Sequence, residues 1–438
     1  MKNILIVGGG YVGMYTALGL RRLVRRGEAT VTVIDPRGYM TYQPFLAEAA
    51  GGAIEPRHVA APLERVLKHA RVLTGRVTRV DHFTRSVEFQ PAQGPARVVG
   101  YDILVMAAGS VSRPMPIPGL AEHAVAFKTL GEAVHLRNHV LEQIALAAST
   151  DDPAVREEAL TFVVVGGGFA GVEALAELQA MADDAVRRHP ELKPRWLLVE
   201  ATGRILPELD GTLGEWTVEA LTRRGVDVHL NTTLTSAQDG LVALADGTRL
   251  QAGTLVWAAG VKPNPLAQAS DLPLDHAGRI KATEYLTVEG VPDAFTAGDG
   301  AAVPDLTKEP GQFTAPNAQH AVRQAKHLAK NLAAYVRGRG LKPYRHAYLG
   351  SVAGLGHHQG VAQVYGIKLT GFLGWLAHRA YHLGWVPTFS HKAKVLGNWT
   401  LAMLFRREAV HLTGIEHAGD DFRAALETAA PAPAGRPR

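Results

Sequence analysis

The chain carries the same short glycine-rich signal twice, and each copy sits where it dictates a strand, a tight turn and a helix start. The first, Gly8-Gly9-Gly10-Tyr11-Val12-Gly13, follows the apolar run Ile4-Leu5-Ile6-Val7. The second, Gly166-Gly167-Gly168-Phe169-Ala170-Gly171, follows Phe162-Val163-Val164-Val165. In this setting Gly8 and Gly166 permit the turn, Gly10 and Gly168 let the backbone approach a pyrophosphate, and Gly13 and Gly171 let helix and strand pack closely. The phosphates then meet the unpaired N–H groups of a helix N-terminus. Each loop also has an acid where the next strand should end: Asp35 after Val31-Thr32-Val33-Ile34, and Glu200 after Trp196-Leu197-Leu198-Val199. A carboxylate there accepts a hydrogen bond from a ribose 2′-hydroxyl. Glycine triplets also occur in plain turns, but repetition of the whole pattern with its acid points to two dinucleotide sites.

A chain of 438 residues is expected to make two or three domains with core enough to fold without covalent staples. It has no cysteine. That excludes a redox-active disulfide, a thiol nucleophile, and cysteine-ligated zinc or iron–sulfur clusters. The apolar N-terminus reaches a glycine turn at once and reads as a strand, not as a secretory signal. No stretch offers roughly 18 uninterrupted apolar residues, so no spanning helix is expected. The net charge of +5 conceals an asymmetry: from Pro310 to Arg407 there is no Asp or Glu, against thirteen Lys or Arg and eight His. Such a block points to an anionic partner: a membrane surface, nucleic acid or an acidic protein.

The first dinucleotide unit, residues 1–120, is expected to end in Ile103-Leu104-Val105-Met106 with Ala107-Ala108-Gly109-Ser110. The second, 121–290, closes with Leu255-Val256-Trp257-Ala258-Ala259-Gly260, an ending close enough to the first to suggest an internal duplication. Residues 291–340, with Gly298-Asp299 and a helix from about Ala315 to Arg337, return to the first unit; 341–415 form a small C-terminal module. The Ala/Pro-rich tail, 416–438, is expected to be disordered.

Two Rossmann units, a Gly-Asp turn and a C-terminal appendix resemble the two-dinucleotide-binding flavoproteins. The resemblance covers roughly Met1 to Arg337. It implies an α/β fold of two three-layer Rossmann-type domains, the NAD domain inserted into the FAD domain. By it Gly8, Gly10, Gly13 and Asp35 belong to non-covalent FAD, as do Gly109, although Ala108 replaces the usual threonine, and Gly298 with Asp299 at the ribityl–phosphate region. Gly166, Gly168, Gly171 and Glu200 belong to the nicotinamide nucleotide. A carboxylate at Glu200 favours NADH over NADPH, whose 2′-phosphate it repels; Arg195 and Arg204 are near enough in sequence to temper this.

Without cysteine, the disulfide-reductase and sulfide-oxidising branches fail on chemistry. The chain resembles instead the type II NADH dehydrogenases, single-chain NADH:quinone oxidoreductases of the membrane surface. Gly166 through Glu173 is similar to that family's NADH loop, whose glutamate lies near the nicotinamide. Ala318-Gln319-His320-Ala321-Val322-Arg323-Gln324 resembles its quinone-site motif Ala-Gln-x-Ala-x-Gln, but Arg323 stands where the second glutamine usually is. Tyr365 to Trp375 resembles the start of its membrane-binding helices. The resemblance implies Glu173, Gln319 and Gln324 as catalytic candidates. From the residues alone, Glu173 is equally a first-turn glutamate favoured by the helix dipole, and Gln319 an ordinary surface residue. His378 and His382 stand at i, i+4, a spacing able to bind zinc, but with no evident third ligand.

In the C-terminal module Phe372, Trp375, Leu376, Leu383 and Val386 share a helical face into which Arg379 intrudes. Either Arg379 snorkels to lipid headgroups or that face is core. A second segment, Val395–Phe405 with Trp399, is flanked by Lys392, Lys394, Arg406 and Arg407, a pattern that suits an interfacial anchor on an anionic membrane. A basic homodimer interface would look similar. The reading is therefore a non-pumping NADH:quinone oxidoreductase, peripheral on the cytoplasmic face of the cell membrane where NADH is supplied. The alternatives are a soluble flavin NADH oxidase or reductase, or a flavin redox sensor with an anionic partner. No nucleic-acid module is recognisable in the basic block.

Overall fold

A computed structural model describes residues 1–346, 350–405, 407 and 410–412; the expected tail lies outside them. Two parallel sheets dominate. In the first, the strands Ala294–Thr296, Ile103–Met106, Lys2–Val7, Ala29–Asp35 and Arg71–Asp81 lie in that order, extended by the antiparallel strands Ser86–Pro91 and Arg97–Gly100. The second has Ala124–Ala126, Thr254–Trp257, Thr161–Val165, Arg195–Val199 and Val226–His229, all parallel. Parallel strands are covered on both faces, which is why their sequences are apolar runs without alternation. Residues of alternating parity along one strand feed separate cores. Ile4 and Ile6 pack with Met14 and Leu20, while Leu5 and Val7 pack with Val77 and Leu104. Phe162 and Val164 part from Val163 and Val165 in the same way. Each unit is thus three layers, as expected.

The strand Ala294–Thr296 joins the first sheet from beyond the second, so the second unit is an insertion. The two passages between units run side by side, Ser110–Ser112 pairing antiparallel with Val261–Pro263. Ala267, Leu272, Ile280 and Val288 already pack in the core of the first unit. The expected limit at residue 290 therefore falls beyond the point where the chain re-enters that unit.

The C-terminal module is a three-stranded antiparallel sheet, Gly350–Gly354, Gly360–Val364 and Ile367–Thr370, followed by the helices Gly371–Trp385 and Phe389–Leu404. It straddles both units. Ala353, Leu355 and Val361 join the core of the second; Val386, Val395 and Trp399 join that of the first. No described helix is long and apolar enough to cross a membrane.

The sequence reading of the module's faces needs correction. Trp375, Val386 and Arg379 are buried, and Phe372 and Leu376 are exposed, so the presumed single face is divided. Arg379 does not snorkel. Its guanidinium lies over the rings of Trp375 and Trp399 and its Nη2 donates to Glu48 Oε2 at 3.3 Å. Trp399 is no interfacial anchor either, since its indole N–H donates to Glu48 at 2.7 Å inside the protein. A buried carboxylate needs such partners, and that need outranks helical amphipathicity. What remains exposed on the two helices is Phe372 and Leu376 from that face, together with Leu373, Phe389, Leu396, Leu401, Met403 and Leu404, and Phe405 just beyond.

Candidate active site

The two glycine loops are built alike, atom by atom. Gly8 and Gly166 have φ of +103° and +119°, where L side chains are strained, and a Cβ on either would strike backbone of the neighbouring strand end. A Cβ at Gly13 or Gly171 would lie 1.8 or 1.9 Å from the carbonyl oxygen of Gly8 or Gly166. A Cβ at Gly10 or Gly168 would meet nothing within 4 Å. The middle glycine donates its N–H to the acid: Gly9 to Asp35 at 2.8 Å, and Gly167 to Glu200 at 2.6 Å. Each acid also accepts from the chain just after it, Asp35 from the N–H of Arg37 and Glu200 from the N–H and hydroxyl of Thr202. A carboxylate has about four lone-pair sites, so capacity for a ribose hydroxyl remains in both. Both loops fit a pyrophosphate: two open approaches at helix N-termini, with a fixed acid beyond each.

The first loop opens on a cleft that also takes in Gly109, Lys128, Gly298 and Asp299. Asp299 Oδ2 accepts from the Ser110 hydroxyl at 2.7 Å, and Lys128 Nζ donates to that hydroxyl and lies 3.6 Å from the carboxylate. Lys128 carries no sequence motif. The nearest trace is the capping box beside it, Thr129 with Glu132, which starts the helix Leu130–Ser149 and fixes where the lysine leaves the chain.

A second cavity of about 340 Å³ adjoins this cleft, the two sharing Tyr11 and Gln43. All three elements of the fold meet in it. The second unit supplies Phe169, Glu173 and Glu208; the helix Ala318–Val336 supplies Gln319, Val322 and Arg323; the C-terminal module supplies Tyr381, His382 and Trp385. Gln319 faces the cavity because Asn317 caps that helix, accepting from His320 N–H at 2.9 Å. Its amide donates to Gly350 O at 3.1 Å, and its Oε1 lies 3.2 Å from His346 Nε2. Glu173 Oε1 accepts from Gly354 N–H at 2.9 Å and sits 3.2 Å from His378 Nε2.

The structure brings Glu173 and Gln319 together but not Gln324. Gln324 is buried, accepting from Gly298 N–H at 2.7 Å and donating to the Thr314 hydroxyl at 3.0 Å. It braces the Gly298-Asp299 turn. A step of one residue turns a helical side chain by about 100°, so the displaced glutamine points to the core and Arg323 takes its place on the cavity. There the Arg323 guanidinium lies 5.1 Å from the ring centre of Trp385.

The i, i+4 pair singled out in the sequence lies here, His382 on the cavity and His378 behind its wall beside Glu173. Burial disfavours a charged His378, but contact with Glu173 and the charges of Glu173 and Glu48 outweigh it and hold the imidazole above its usual pKa. The neighbouring His382 is pushed well below, by burial and by His378. Of the two rings, His378 beside Glu173 is therefore the one that takes the extra proton first. His382 lies 3.3 Å from the hydroxyl of Tyr42, itself on the cavity. Burial pushes the Glu48 carboxyl up despite Arg379, and burial alone raises Glu208.

The arginines that bear on NADH against NADPH are both engaged. Arg195 pairs with Asp227 at 3.2 Å, and Arg204 donates to the carbonyl of Leu209.

Two adjoining clefts, one dinucleotide turn in each unit and a third entry from the C-terminal module define a flavin- and pyridine-nucleotide-dependent oxidoreductase. Residues 2–325 match the pyridine nucleotide-disulphide oxidoreductase family. The type II NADH:quinone oxidoreductase Ndh of Mycobacterium tuberculosis is 30% identical over 423 residues, covering 92% of this chain and 89% of that protein. The type II NADH:quinone oxidoreductase of Staphylococcus aureus is 32% identical over 378 residues, covering 84% and 91%. The structure of NDH2 from Plasmodium falciparum in complex with NADH has the same fold, with a TM-score of 0.85 at 18% identity over 93% of this chain and 99% of that one. The chain belongs to the pyridine nucleotide-disulphide oxidoreductases and, within them, to the type II NADH:quinone oxidoreductases.

Proposed function

We propose that this chain oxidises NADH at its second glycine loop and reduces a quinone in the cavity of Glu173 and Gln319, with FAD in the cleft of Gly8, Gly10, Gly13, Asp35, Gly109, Gly298 and Asp299. The observation that carries the reading is the shared wall: Tyr11 and Gln43 line both the first cleft and the cavity to which the helix after the second loop gives Phe169, Ala170 and Glu173. FAD in the cleft would supply acceptance of a hydride and its release as two electrons; the protein supplies position and protons. Gly166, Gly168 and Gly171 open the second loop to the NADH pyrophosphate, and Glu200 selects the free 2′-hydroxyl. Glu173 positions the nicotinamide side of the cavity, its carboxylate fixed by Gly354 and His378. Gln319 offers an amide, and Arg323 a cation, to the carbonyl oxygens of a quinone.

Quinone reduction consumes two protons. His378, the ring of the pair that protonates more readily, stands beside Glu173, and the Tyr42 hydroxyl is a second proton-bearing group on the cavity. The stack of Arg323 on Trp385, with Tyr381 and Phe169, keeps the cavity apolar enough for a quinone ring.

The exposed apolar side chains of the C-terminal helices, with Lys392 and Lys394, suit attachment to an anionic membrane surface on the cytoplasmic face. A homodimer through the same face is the second reading. The test is steady-state oxidation of NADH by the purified yellow protein with and without a short-chain menaquinone or ubiquinone analogue. NADPH and oxygen alone serve as controls. Quinone-dependent turnover supports the reading; flavin reduction without quinone turnover moves the acceptor elsewhere.

A further inference from the structure

A separate cavity of about 350 Å³ opens where the helix Phe169–Ala185 meets the C-terminal helices, and it shares no lining residue with the two clefts above. Three arginines line it at graded depth. The side chain of Arg379 is 10% exposed, that of Arg407 17% and that of Arg187 55%, so they run from floor to mouth. Each has an acid partner: Glu48 for Arg379, Glu177 for Arg407 and Asp184 for Arg187. A guanidinium has five donors, and these contacts leave several unused. Arg379 as a residue is more than nine-tenths buried, and its Nε has no hydrogen-bond partner. That Nε is enclosed, with the guanidinium held between Trp375 and Trp399, so Arg379 contributes charge at the floor, and the donors open to the cavity belong to Arg407 and Arg187. At the mouth Met403, Leu404 and Phe405 are each about two-thirds or more exposed.

We propose that this cavity seats the phosphate of an anionic phospholipid, with the acyl chains lying over Met403, Leu404 and Phe405. Arginine forks match phosphate oxygens in pairs. The exposed apolar mouth suits a chain attached to that phosphate, whereas a free anion would leave it bare to water. Glu177 and Asp184 line the cavity too, but each is held at one guanidinium nitrogen, Nη1 of Arg407 and Nη2 of Arg187, which leaves the remaining donors of those two arginines for an anion above the charge of Arg379. One helix then serves both ligands: Gly371–Trp385 presents Trp375 and Arg379 here, and Tyr381, His382 and Trp385 to the proposed quinone cavity. A seated lipid would hold that cavity in a fixed relation to the bilayer. The inference rests on the membrane attachment proposed above.

The test uses the full-length flavin-loaded protein. Dihexanoyl phosphatidylglycerol below its micelle concentration is titrated calorimetrically against wild type, Arg187→Gln, Arg407→Gln and the double variant Lys392→Gln/Lys394→Gln. Dihexanoyl phosphatidylcholine and inorganic phosphate are the comparison ligands. Flotation on phosphatidylcholine vesicles, and on 4:1 phosphatidylcholine–phosphatidylglycerol vesicles, is measured in parallel.

Saturable binding of the phosphatidylglycerol is expected, weakened roughly tenfold or more in each arginine variant and little changed in the lysine variant. Equal binding of phosphatidylcholine would overturn the proposal. So would equal binding of inorganic phosphate, which would mark a free-anion site, or equal losses in the lysine variant, which would mark diffuse surface charge. Arg407 also donates to Gly51 O and braces the local fold, so the half-exposed Arg187 keeps the test independent of misfolding. Wild type that binds the short-chain lipid yet floats with neither vesicle would sink membrane attachment and leave the site standing. Wild type that floats, with Arg187→Gln unchanged in both assays, would sink the site and leave attachment standing.

Discussion

At Gly9 and Gly167 the two units make the same hydrogen bond to the same kind of acid, yet Asp35 is buried and Glu200 is partly open to solvent. The difference lies in what covers the turn. Over the first loop the chain returns with Gly298 and Asp299, the helix Ala318–Val336 packs on the helix Tyr11–Arg25, and Lys128 with Ser110 closes on Asp299. The second loop leads instead to Glu173 and the cavity shared with the C-terminal module. One local device, used twice, thus suits a cofactor that stays and a substrate that leaves. On the proposed reading it is enclosure, not the glycine turn, that separates the two roles.

The sharpest way to break that comparison is to spoil one turn at a time. Gly13→Ala and Gly171→Ala each place a Cβ within 2 Å of a carbonyl oxygen. Gly13→Ala should yield protein without bound flavin. Gly171→Ala should stay yellow yet reduce its flavin with NADH roughly a hundredfold more slowly, a general consequence of misplacing a reactant. Flavin content after gel filtration and anaerobic stopped-flow reduction distinguish the two; identical phenotypes would contradict separate roles.

Next in size is Glu173→Gln, which keeps the Gly354 contact but removes the charge beside His378. Turnover with quinone should fall by about 10² at neutral pH, within the range of lost acid–base or positioning groups, with flavin content unchanged. The two glutamines of the same helix should then separate. Gln319→Leu should raise the KM for quinone. Gln324→Leu should leave that KM alone but lower stability by about 1–3 kcal/mol, because it leaves the half-buried Gly298 N–H and the buried Thr314 hydroxyl without their partner. Thermal denaturation alongside quinone titration reads both.

Glu200→Gln should narrow the preference for NADH over NADPH by roughly tenfold, the scale of one charge contact, through the KM for NADPH.

The smallest effect concerns His378. Its folded pKa is raised above the unfolded value of about 6.5. Its protonated form therefore contributes stability that is complete below that value and is lost as pH rises through the folded pKa. The Tm difference between wild type and His378→Gln should be largest in mild acid and shrink with rising pH. A difference that grew with pH would contradict the charge assignment.

How much of this was legible in the chain follows from how local each feature is. The glycine turns, their acids and the apolar strands are written within about thirty residues of one another, and each adopts the expected geometry. Glu173 and Gln319 were reachable through short motifs, and the structure adds only that one cavity holds both. The sequence leaves Arg379 open between snorkelling and core, and makes Trp399 an interfacial anchor, because their buried partner Glu48 lies in a distant part of the chain; a helical wheel shows a stripe but not what faces it. Lys128 reaches Asp299 across the whole inserted unit, with no local pattern to announce it. Gln324 is a catalytic candidate only through a motif shifted by one position, and on a helix that shift decides between cavity and core.

On the proposed function the two turns act in series across a shared wall. The most direct test is to add one equivalent of NADH anaerobically to the purified protein, follow the visible flavin absorption, and then add a short-chain quinone. The account predicts that NADH bleaches the flavin and that quinone restores it with one quinol formed per NADH consumed. A flavin that NADH bleaches but quinone leaves bleached would contradict it.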